Sequence, residues 1–192
     1  MAENLKYLPS VVGPSTESTT TQYYYVYGYN GTNVVDAKST ANYQTYGVLY
    51  NWTAAVGACP TGWHLPTDVE FTELENYLIA NGYNYDGTTS GNKISKALAS
   101  TTLWVSSATK GAVGNTDYPA KRNATGFTAL PGGDRGLNGV FSNIGLAFDW
   151  WPATEADAAF AWSRYVYFDG AFVSRIKYQK DYGFSVRCLK DK

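Results

Sequence analysis

The stretch CPTGWHLPTDVEFTELENYL, residues 59–78, carries the clearest secondary-structure signal in the chain. Thr67 is followed three positions later by Glu70, which is the spacing of a capping box at the start of a helix. Apolar residues then recur at helical spacing from Phe71 until Gly82 ends the pattern. The stretch therefore predicts a helix that begins directly after Thr67. The apolar face of this helix consists of Phe71, Leu74 and Leu78.

Towards the C-terminus the periodicity changes to strict alternation, in AWSRYVYFDGAFVSRIKY, residues 161–178. Alternation with a period of two is typical of strands, and Asp169-Gly170 is a turn signal between them. We expect a β-hairpin here. One parity contains Trp162, Arg164, Val166, Val173, Arg175 and Lys177, and the other contains Ser163, Tyr165, Tyr167, Phe172, Ser174, Ile176 and Tyr178. The closing GFSVRCL, residues 183–189, predicts a further strand.

The rest of the chain shows weaker patterns. Residues 1–22 end in a Gly/Pro/Ser/Thr run and predict an arm or linker, which leaves residues 23–192 as one domain. Residues 23–38 have the composition of a hairpin, with an Asn-Gly turn between two strands. Residues 92–99 predict a second, shorter helix. Residues 104–149 are rich in Gly, Ser, Asn and Pro and predict long loops with short strands.

Composition argues against several classes of function. The chain has 15 Lys and Arg against 16 Asp and Glu, so it lacks the basic excess that nucleic acid or anionic lipid would require. No run of about 18 apolar residues predicts a membrane span, and the first residues do not have the pattern of a signal peptide. We therefore expect no nucleic-acid partner and no direct membrane insertion. Nothing in the sequence indicates an oligomeric state.

The residues that usually carry catalysis or metal binding are scarce. The one histidine, His64, and the two cysteines, Cys59 and Cys188, form no cluster with zinc or iron-sulfur spacing. No nucleophile motif accompanies His64, so we expect it to be structural. We predict no catalytic residues, no metal and no cofactor. No acidic loop of regular spacing indicates a calcium site. If calcium bound, its oxygen ligands would come from Asp134, Asp149 or Asp157.

Five segments stand in a recognisable order: YGVLYNWTAA (46–55), CPTGWHLPTDVEFTELENYL (59–78), GFTALPGGDRG (126–136), WWPATE (150–155) and GFSVRCLKD (183–191). Together they resemble the Fibrobacter succinogenes major paralogous domain family over about residues 46–191. The fold of that family is similar to the formylglycine-generating-enzyme branch of the C-type lectin fold. The resemblance implies an α+β architecture with two helices, antiparallel strands and long irregular loops.

The resemblance also implies where a ligand binds. In variable receptors of this branch, from phages and bacteria, the C-terminal strands and loops carry a diversified surface, here about residues 156–182. Some of these receptors are diversified by retroelements that change adenines in Asn-type codons. The ligand-binding residues implied are Ala156, Ala158, Phe160, Ser163, Tyr165, Tyr167, Phe168, Asp169, Phe172, Ser174, Ile176, Tyr178 and Tyr182. Each of these residue types is reachable from an Asn codon by changing its adenines, whereas Lys177 and Gln179 are not. Asp169 and Ser174 would provide polar specificity.

Periodicity and resemblance disagree about which side of the hairpin is exposed. The apolar parity of residues 172–178 would ordinarily face the core and the Arg/Lys parity would face solvent. The resemblance implies the reverse, and Trp162 and Val166 share the parity of Arg164. A buried arginine can be satisfied by a carboxylate such as Glu155. We therefore expect the aromatic parity to be exposed, as an apolar patch that marks an interaction site.

The expected function is non-enzymatic binding of a ligand or receptor, with a protein or glycan on a cell surface as the partner. The resemblance implies a location on a phage virion or bacterial cell surface. The alternative is a fixed structural or adhesive module of the cell envelope with no variable face. An oxidase like the formylglycine-generating enzymes would need a pair of cysteines near the C-terminus, where only Cys188 stands. Cys59 and Cys188 either pair across a long loop or remain two buried thiols.

Overall fold

The computed structural model describes residues 1–192, which form an α+β fold of short helices and three sheets joined by long loops. The helices are α1 (Val34–Ser39), α2 (Ala41–Tyr46), α3 (Trp52–Val56), α4 (Asp68–Ala80) and α5 (Ser95–Leu98), with single 3₁₀ turns at Pro119–Lys121 and Leu137–Gly139. The strands are β1 (Tyr24–Tyr25), β2 (Leu49–Tyr50), β3 (Trp63–His64), β4 (Gly132–Arg135), β5 (Phe141–Ile144), β6 (Ala147–Trp150), β7 (Phe160–Tyr167), β8 (Ser174–Gln179) and β9 (Leu189–Lys190).

The main sheet has five strands in the order β5-β4-β6-β7-β8. The pair β4 and β6 is parallel, and the other neighbours are antiparallel. Strands β7 and β8 form the hairpin predicted around Asp169-Gly170, with Arg164 opposite Arg175 and Tyr165 opposite Ser174. Two small antiparallel sheets, β1 with β2 and β3 with β9, lie beside the main sheet.

Helix α4 confirms the helix prediction. The Thr67 side chain accepts a hydrogen bond from the Glu70 backbone N–H at 3.2 Å, and the Glu70 carboxylate accepts one from the Thr67 N–H at 2.8 Å. These two bonds satisfy donors that the first turn of a helix leaves free. The buried Phe71 and Leu78 then pack against the main sheet, where they share a core cluster with Phe148, Trp150, Val166 and Val173. This packing makes α4 the cover of one face of the sheet.

The prediction of a hairpin over residues 23–38 is wrong. Tyr24 pairs with Tyr50 of β2 instead, and Val34 begins α1. The Asn33 side chain accepts hydrogen bonds from the N–H groups of Val35 and Asp36, so this Asn caps a helix although the two valines favour a strand. The expected count of two helices is also wrong, because α1, α2 and α3 add three short helices before α4.

Two other elements are shorter than expected. The second predicted helix, over residues 92–99, is limited to α5. Residues 183–189 do not form a continuous strand, because Phe184 bridges to Tyr50 and Ser185 bridges to Trp150 on different parts of the fold. The segment threads between the main sheet and β2 and contributes Phe184, Val186 and Cys188 to the larger core cluster.

The first residues do not extend from the domain as a free arm. Leu5, Leu8 and Val11 are buried in the same core cluster as Trp151 and Phe184. The Leu5 N–H donates to the Val186 carbonyl at 3.0 Å, and the Met1 ammonium donates to the Cys188 carbonyl at 2.8 Å. Apolar residues spaced at 5, 8 and 11 therefore tie this segment to the C-terminal part of the chain.

Cys59 and Cys188 form a disulfide bond between residues 129 positions apart in the chain. Of the two alternatives left open by the sequence, pairing and free thiols, the structure has the first. Cys188 is 2 % exposed and belongs to the larger core cluster, where Cys59 packs against it. The bond therefore links the turn before β3 to the buried C-terminal segment.

His64 bridges two carboxylates. Its Nε2 lies 3.0 Å from Oε1 of Glu70, and its Nδ1 lies 2.6 Å from Oδ1 of Asp191. Hydrogen bonds to Asp191 and then to Glu70 raise the pKa of His64 above its ordinary value of 6.5. Both ring nitrogens donate only in the imidazolium form, so the bridge is complete when His64 is charged.

We expect NMR titration of the single histidine to give a pKa above 6.5. Because the folded-state pKa is raised, the bridge stabilises the fold fully below the unfolded-state pKa and loses this contribution as the pH rises through the folded-state pKa. The Asp191→Asn variant removes the larger cause and should move the His64 pKa back towards 6.5. A wild-type pKa at or below 6.5 would contradict the bridge.

Candidate ligand-binding site

The hairpin of β7 and β8 presents two chemically different faces. Cross-strand partners share a face, so Tyr165 lies beside Ser174 of β8 and Asp149 of β6. On the other face, Arg164 lies beside Arg175 and Trp150. The sequence alternation is thus preserved in the structure, and each parity has its own surroundings.

The Arg164 face is the structural one. The Arg164 side chain is fully buried against α4 and donates from Nε to Oε1 of Glu75 at 2.6 Å and from Nη1 to Oδ1 of Asp68 at 2.5 Å. Arg175, which is 42 % exposed, donates from Nη2 to Oδ2 of the same Asp68 at 2.9 Å. The guanidinium of Arg175 also stacks on the ring of Trp162 at 3.3 Å. This network joins the hairpin to the first two turns of α4.

The network corrects the partner expected for the buried arginine. Glu155 does not contact Arg164, because its Oε1 accepts from Lys180 Nζ at 3.1 Å. Although burial raises the pKa of Asp68, hydrogen bonds and charge from Arg175 and Arg164 hold it below its ordinary value. Burial outweighs Arg164 at Glu75, and the Glu75 pKa is raised.

The opposite face of the hairpin lines a cavity of about 610 Å³, a size typical of small-ligand sites. The strands β4, β5 and β6 and the C-terminal segment complete its walls. Six of the lining residues are aromatic and three are aspartates, and none is Lys, Arg or His. The lining residues are Asp134, Gly136, Ser142, Asn143, Ala147, Asp149, Tyr165, Tyr167, Asp169, Gly170, Phe172, Ser174, Tyr178, Tyr182 and Phe184.

Seven of the expected ligand-binding residues come together in this cavity. Phe172 and Asp169 are exposed, with Phe172 at 53 %, and lie at the rim. The rings of Tyr178 and Tyr182 lie 5.0 Å apart between their centres, tilted by 46°, and both contact the buried Phe184. The seven are Tyr165, Tyr167, Asp169, Phe172, Ser174, Tyr178 and Tyr182.

The other six expected residues lie outside the cavity. Ser163 is completely buried and donates its hydroxyl hydrogen to the Ile176 carbonyl at 3.0 Å, so its side chain is not available to a ligand. Ile176 is 43 % exposed beyond the cavity wall. The remaining four lie in the turn before β7, at the start of β7 or just after its end, and are Ala156, Ala158, Phe160 and Phe168. The apolar patch expected from the sequence is thus a concave site made by part of the hairpin.

Two carboxylates lie deep in the cavity. Asp134 is 7 % exposed, and its Oδ2 accepts a hydrogen bond from Asn143 Nδ2 at 2.6 Å. Asp149 is 5 % exposed and neither of its carboxylate oxygens receives a hydrogen bond. Burial and then the charge of Asp134 raise the pKa of Asp149 well above its ordinary value. Burial also raises the pKa of Asp134, although Asn143 opposes it.

The aromatic wall responds to the same charges. Burial, followed by the charge of Asp149, raises the pKa of Tyr178 to about 12. The Tyr178 hydroxyl group therefore stays protonated over the physiological range and can donate a hydrogen bond to a ligand. Burial also raises the pKa of Tyr182. Rings with hydroxyl groups, two deep carboxylates and no cation make the cavity apolar on its walls and acidic at its floor.

Gly133 sets the position of Asp134. Its φ of +67° lies in the left-handed region, and a Cβ atom there would lie 2.2 Å from the Ser142 carbonyl oxygen. Only glycine lets β4 approach β5 so closely. This approach brings Asp134 against Asn143 at the floor of the cavity.

The sequence did not identify Asp134 and Asp149 as binding residues, although it named them as possible calcium ligands. The available signal was an acidic residue inside an apolar run, because Asp149 stands in AFDWW, residues 147–151. A carboxylate buried among apolar residues is costly unless something compensates its charge. No group of three or more His, Cys, Asp or Glu side chains in the structure could hold a metal ion.

The chain is similar to a known protein family. The sequence model of the family described as the Fibrobacter succinogenes major domain matches residues 1–190. No curated protein and no solved structure gives a significant match to the chain. None of the helices combines the length and the apolar character that a membrane crossing needs.

Proposed function

Because the chain belongs to the Fibrobacter succinogenes major domain family, we propose that it is a non-enzymatic binding protein whose cavity between β4 and the β7–β8 hairpin takes the ligand. The observation that carries this proposal is the position of the aromatic parity of the hairpin. Its tyrosines line an open cavity, while the arginine parity packs on α4. A hairpin that buries Arg164 against α4 while its tyrosines line an open cavity supports a binding role for the aromatic face.

The proposal includes a C-type-lectin-like fold with a diversified surface over about residues 156–182. It places the protein on a phage virion or a bacterial cell surface, with a protein or glycan of a cell surface as its partner. Its support is the alternation of structural positions with positions reachable from Asn codons. Seven of the expected ligand-binding residues share one cavity, and the Arg164 network on the other face of the strands does not depend on them.

The non-enzymatic part of the proposal is supported by the state of the reactive side chains. Cys188 is buried and bonded to Cys59, so neither thiol is free to act as a nucleophile. His64 is bound between Glu70 and Asp191, outside the cavity. A fixed envelope module would have the same fold, and the difference lies in whether the face varies.

The proposed diversification of about residues 156–182 is tested by sequencing the DNA around the gene. We expect a near-copy of the segment encoding about residues 148–191, differing at adenines, beside a reverse-transcriptase gene. Such a copy would identify the variable positions codon by codon. Its absence from the complete surrounding sequence would contradict diversification and favour a fixed structural or adhesive module that uses the same cavity.

Binding itself is tested with the Tyr165→Ala/Phe172→Ala double variant of the full chain. Fluorescently labelled protein is applied to a printed glycan array and to a panel of intact bacterial cells. Since aromatic residues at the centre of a site contribute hot-spot energies, we expect the double variant to bind about 30-fold more weakly than the wild type. Neither residue belongs to a core cluster, so the melting temperature should stay close to that of the wild type.

The matched control is Tyr77→Ala. Tyr77 is 61 % exposed on α4, away from the cavity, and its loss should leave binding unchanged. Binding that is equally strong in the double variant, or equally weak in the control, would show that the cavity is not the ligand site.

A further inference from the structure

Building on the proposed function, we infer that the cavity binds an organic cation: an ammonium or guanidinium group on an apolar stem, held at the floor by Asp134 and Asp149 and enclosed by the tyrosine rings. The group belongs either to a free small molecule or to a Lys or Arg side chain of the partner. The inference names the chemical class of the ligand, which the proposed function leaves open.

The first argument is the unpaired carboxylate of Asp149. A buried carboxylate is strongly destabilising unless a hydrogen-bond donor or a positive charge compensates it, or a proton neutralises it. Two other carboxylates meet this requirement, because Asp68 receives hydrogen bonds from two arginines and Asp117 receives one from the buried Lys96. Asp181, whose Oδ1 is buried without a hydrogen-bond partner, does not line the cavity. Asp149 has no such partner and lines a cavity, so the missing positive charge has room to come from a ligand.

The second argument is the nature of the wall. Aromatic faces attract ammonium and guanidinium groups, and this attraction increases where water is excluded. Tyr165, Tyr167, Tyr178 and Tyr182 line the cavity together with Phe172, and no Lys, Arg or His side chain does. Anionic ligands would meet three aspartates and no compensating charge. With a neutral ligand, only a proton would neutralise Asp149, whose pKa burial raises.

The third argument separates an organic cation from a metal ion. Calcium and magnesium bind several oxygen ligands at about 2.0–2.6 Å. Only the two deep aspartates offer carboxylates at the floor, and no group of three or more His, Cys, Asp or Glu side chains is arranged so that it could hold a metal ion. A cavity of about 610 Å³ with aromatic walls also exceeds the space that a metal ion needs. The apolar stem of an organic cation would therefore fill the space between the aromatic rings, which a metal ion would leave empty.

The test is calorimetric titration of the full chain with matched probes at millimolar concentration. Choline and butylguanidinium represent free cations, and capped Gly-Gly-Lys-Gly-Gly and Gly-Gly-Arg-Gly-Gly peptides represent side chains of a partner. The neutral control is 3,3-dimethylbutan-1-ol, which has the shape of choline without its charge. We expect at least one cationic probe to bind and the neutral alcohol to bind about tenfold more weakly or not at all.

The decisive variant is Asp149→Asn. It should weaken binding of the cation about 30-fold, because it removes the charge that compensates the ligand. It should also melt at the same temperature as the wild type or higher, since it replaces a buried unpaired carboxylate with a neutral amide. A merely structural aspartate would show the opposite, a loss of stability. Asp36→Asn, at an exposed position of α1, is the matched control and should change neither quantity.

Three outcomes would overturn the inference. None of the organic cations binds, or the neutral alcohol binds as tightly as choline, or Asp149→Asn binds cations as tightly as the wild type. Calcium chloride that binds in an Asp149-dependent way while every organic cation fails would assign the floor to a metal. In each case the proposed function survives if binding to the glycan array or to cells still depends on Tyr165 and Phe172.

Discussion

Replacing Arg164 by alanine is expected to lower the free energy of unfolding by about 3–5 kcal/mol, because it leaves the Glu75 carboxylate without its charged partner. Asp68 keeps its ion pair with Arg175. Arg164 is fully buried, and its guanidinium is the donor that Asp68 and Glu75 share. Burial already raises the pKa of Glu75 while Arg164 is present, so the charged form of Glu75 is destabilised most when Arg164 is removed. The truncated side chain also leaves a cavity between α4 and the sheet.

The measurement is urea unfolding followed by circular dichroism at neutral pH. Arg175→Ala is the matched control, because Arg175 contacts the same Asp68 but is 42 % exposed. We expect this control to cost about 1 kcal/mol, the scale of exposed ion pairs. If Arg164→Ala cost no more than Arg175→Ala, the network would not join the hairpin to α4 in the way described.

Removal of the disulfide with Cys59→Ala/Cys188→Ala is expected to lower the free energy of unfolding by about 4–5 kcal/mol. The bond closes a loop between residues 129 positions apart, and in the chain-entropy model the stabilisation grows with loop length. For a chain of this size the loss corresponds to a fall in melting temperature of about 10 °C.

The control for this prediction is the reductant itself. Tris(2-carboxyethyl)phosphine should destabilise the wild type and leave the double variant unchanged. Thiol titration of wild-type protein unfolded without reductant should find no free thiol. Equal stability of the wild type and the double variant would mean that the bond constrains little of the unfolded chain.

Local signals in the sequence predicted local structure. The helix after Thr67 and the hairpin around Asp169-Gly170 depend on capping and alternation within a few residues, and both are confirmed. The hairpin over residues 23–38 failed because valine favours strands, while the cap formed by Asn33 decides for a helix. In a short segment, strand preference and helix capping can compete, and the packing of the surrounding chain decides which structure forms.

The cavity could not be predicted in the same way, because its parts are distant in sequence. In the sheet, β4 lies directly beside β6, although β5 separates them in the sequence and pairs with the other edge of β4. This strand order brings Asp134 and Asp149 into the same cavity. The partner of Arg164 was also misjudged. Glu155 is close in sequence, but α4 places Asp68 and Glu75 directly over the arginine. The alternation of side chains predicts which residues of the hairpin share a face. The residues that contact each face depend on packing between distant parts of the chain.

The separation of the two faces of β7 and β8 has a consequence for protein engineering. Tyr165, Tyr167, Phe172, Ser174 and Ile176 belong to neither core cluster and to no ion pair. Mutations at these positions should therefore cause no large losses of folding free energy, because none of the five side chains supports a core cluster or the Arg164 network. Tyr165 and Ser174 are cross-strand neighbours, so their effects can couple. A combinatorial library randomised at these five codons would keep the Arg164 network and the disulfide in every member. Most clones should then fold, and selection would act on affinity alone.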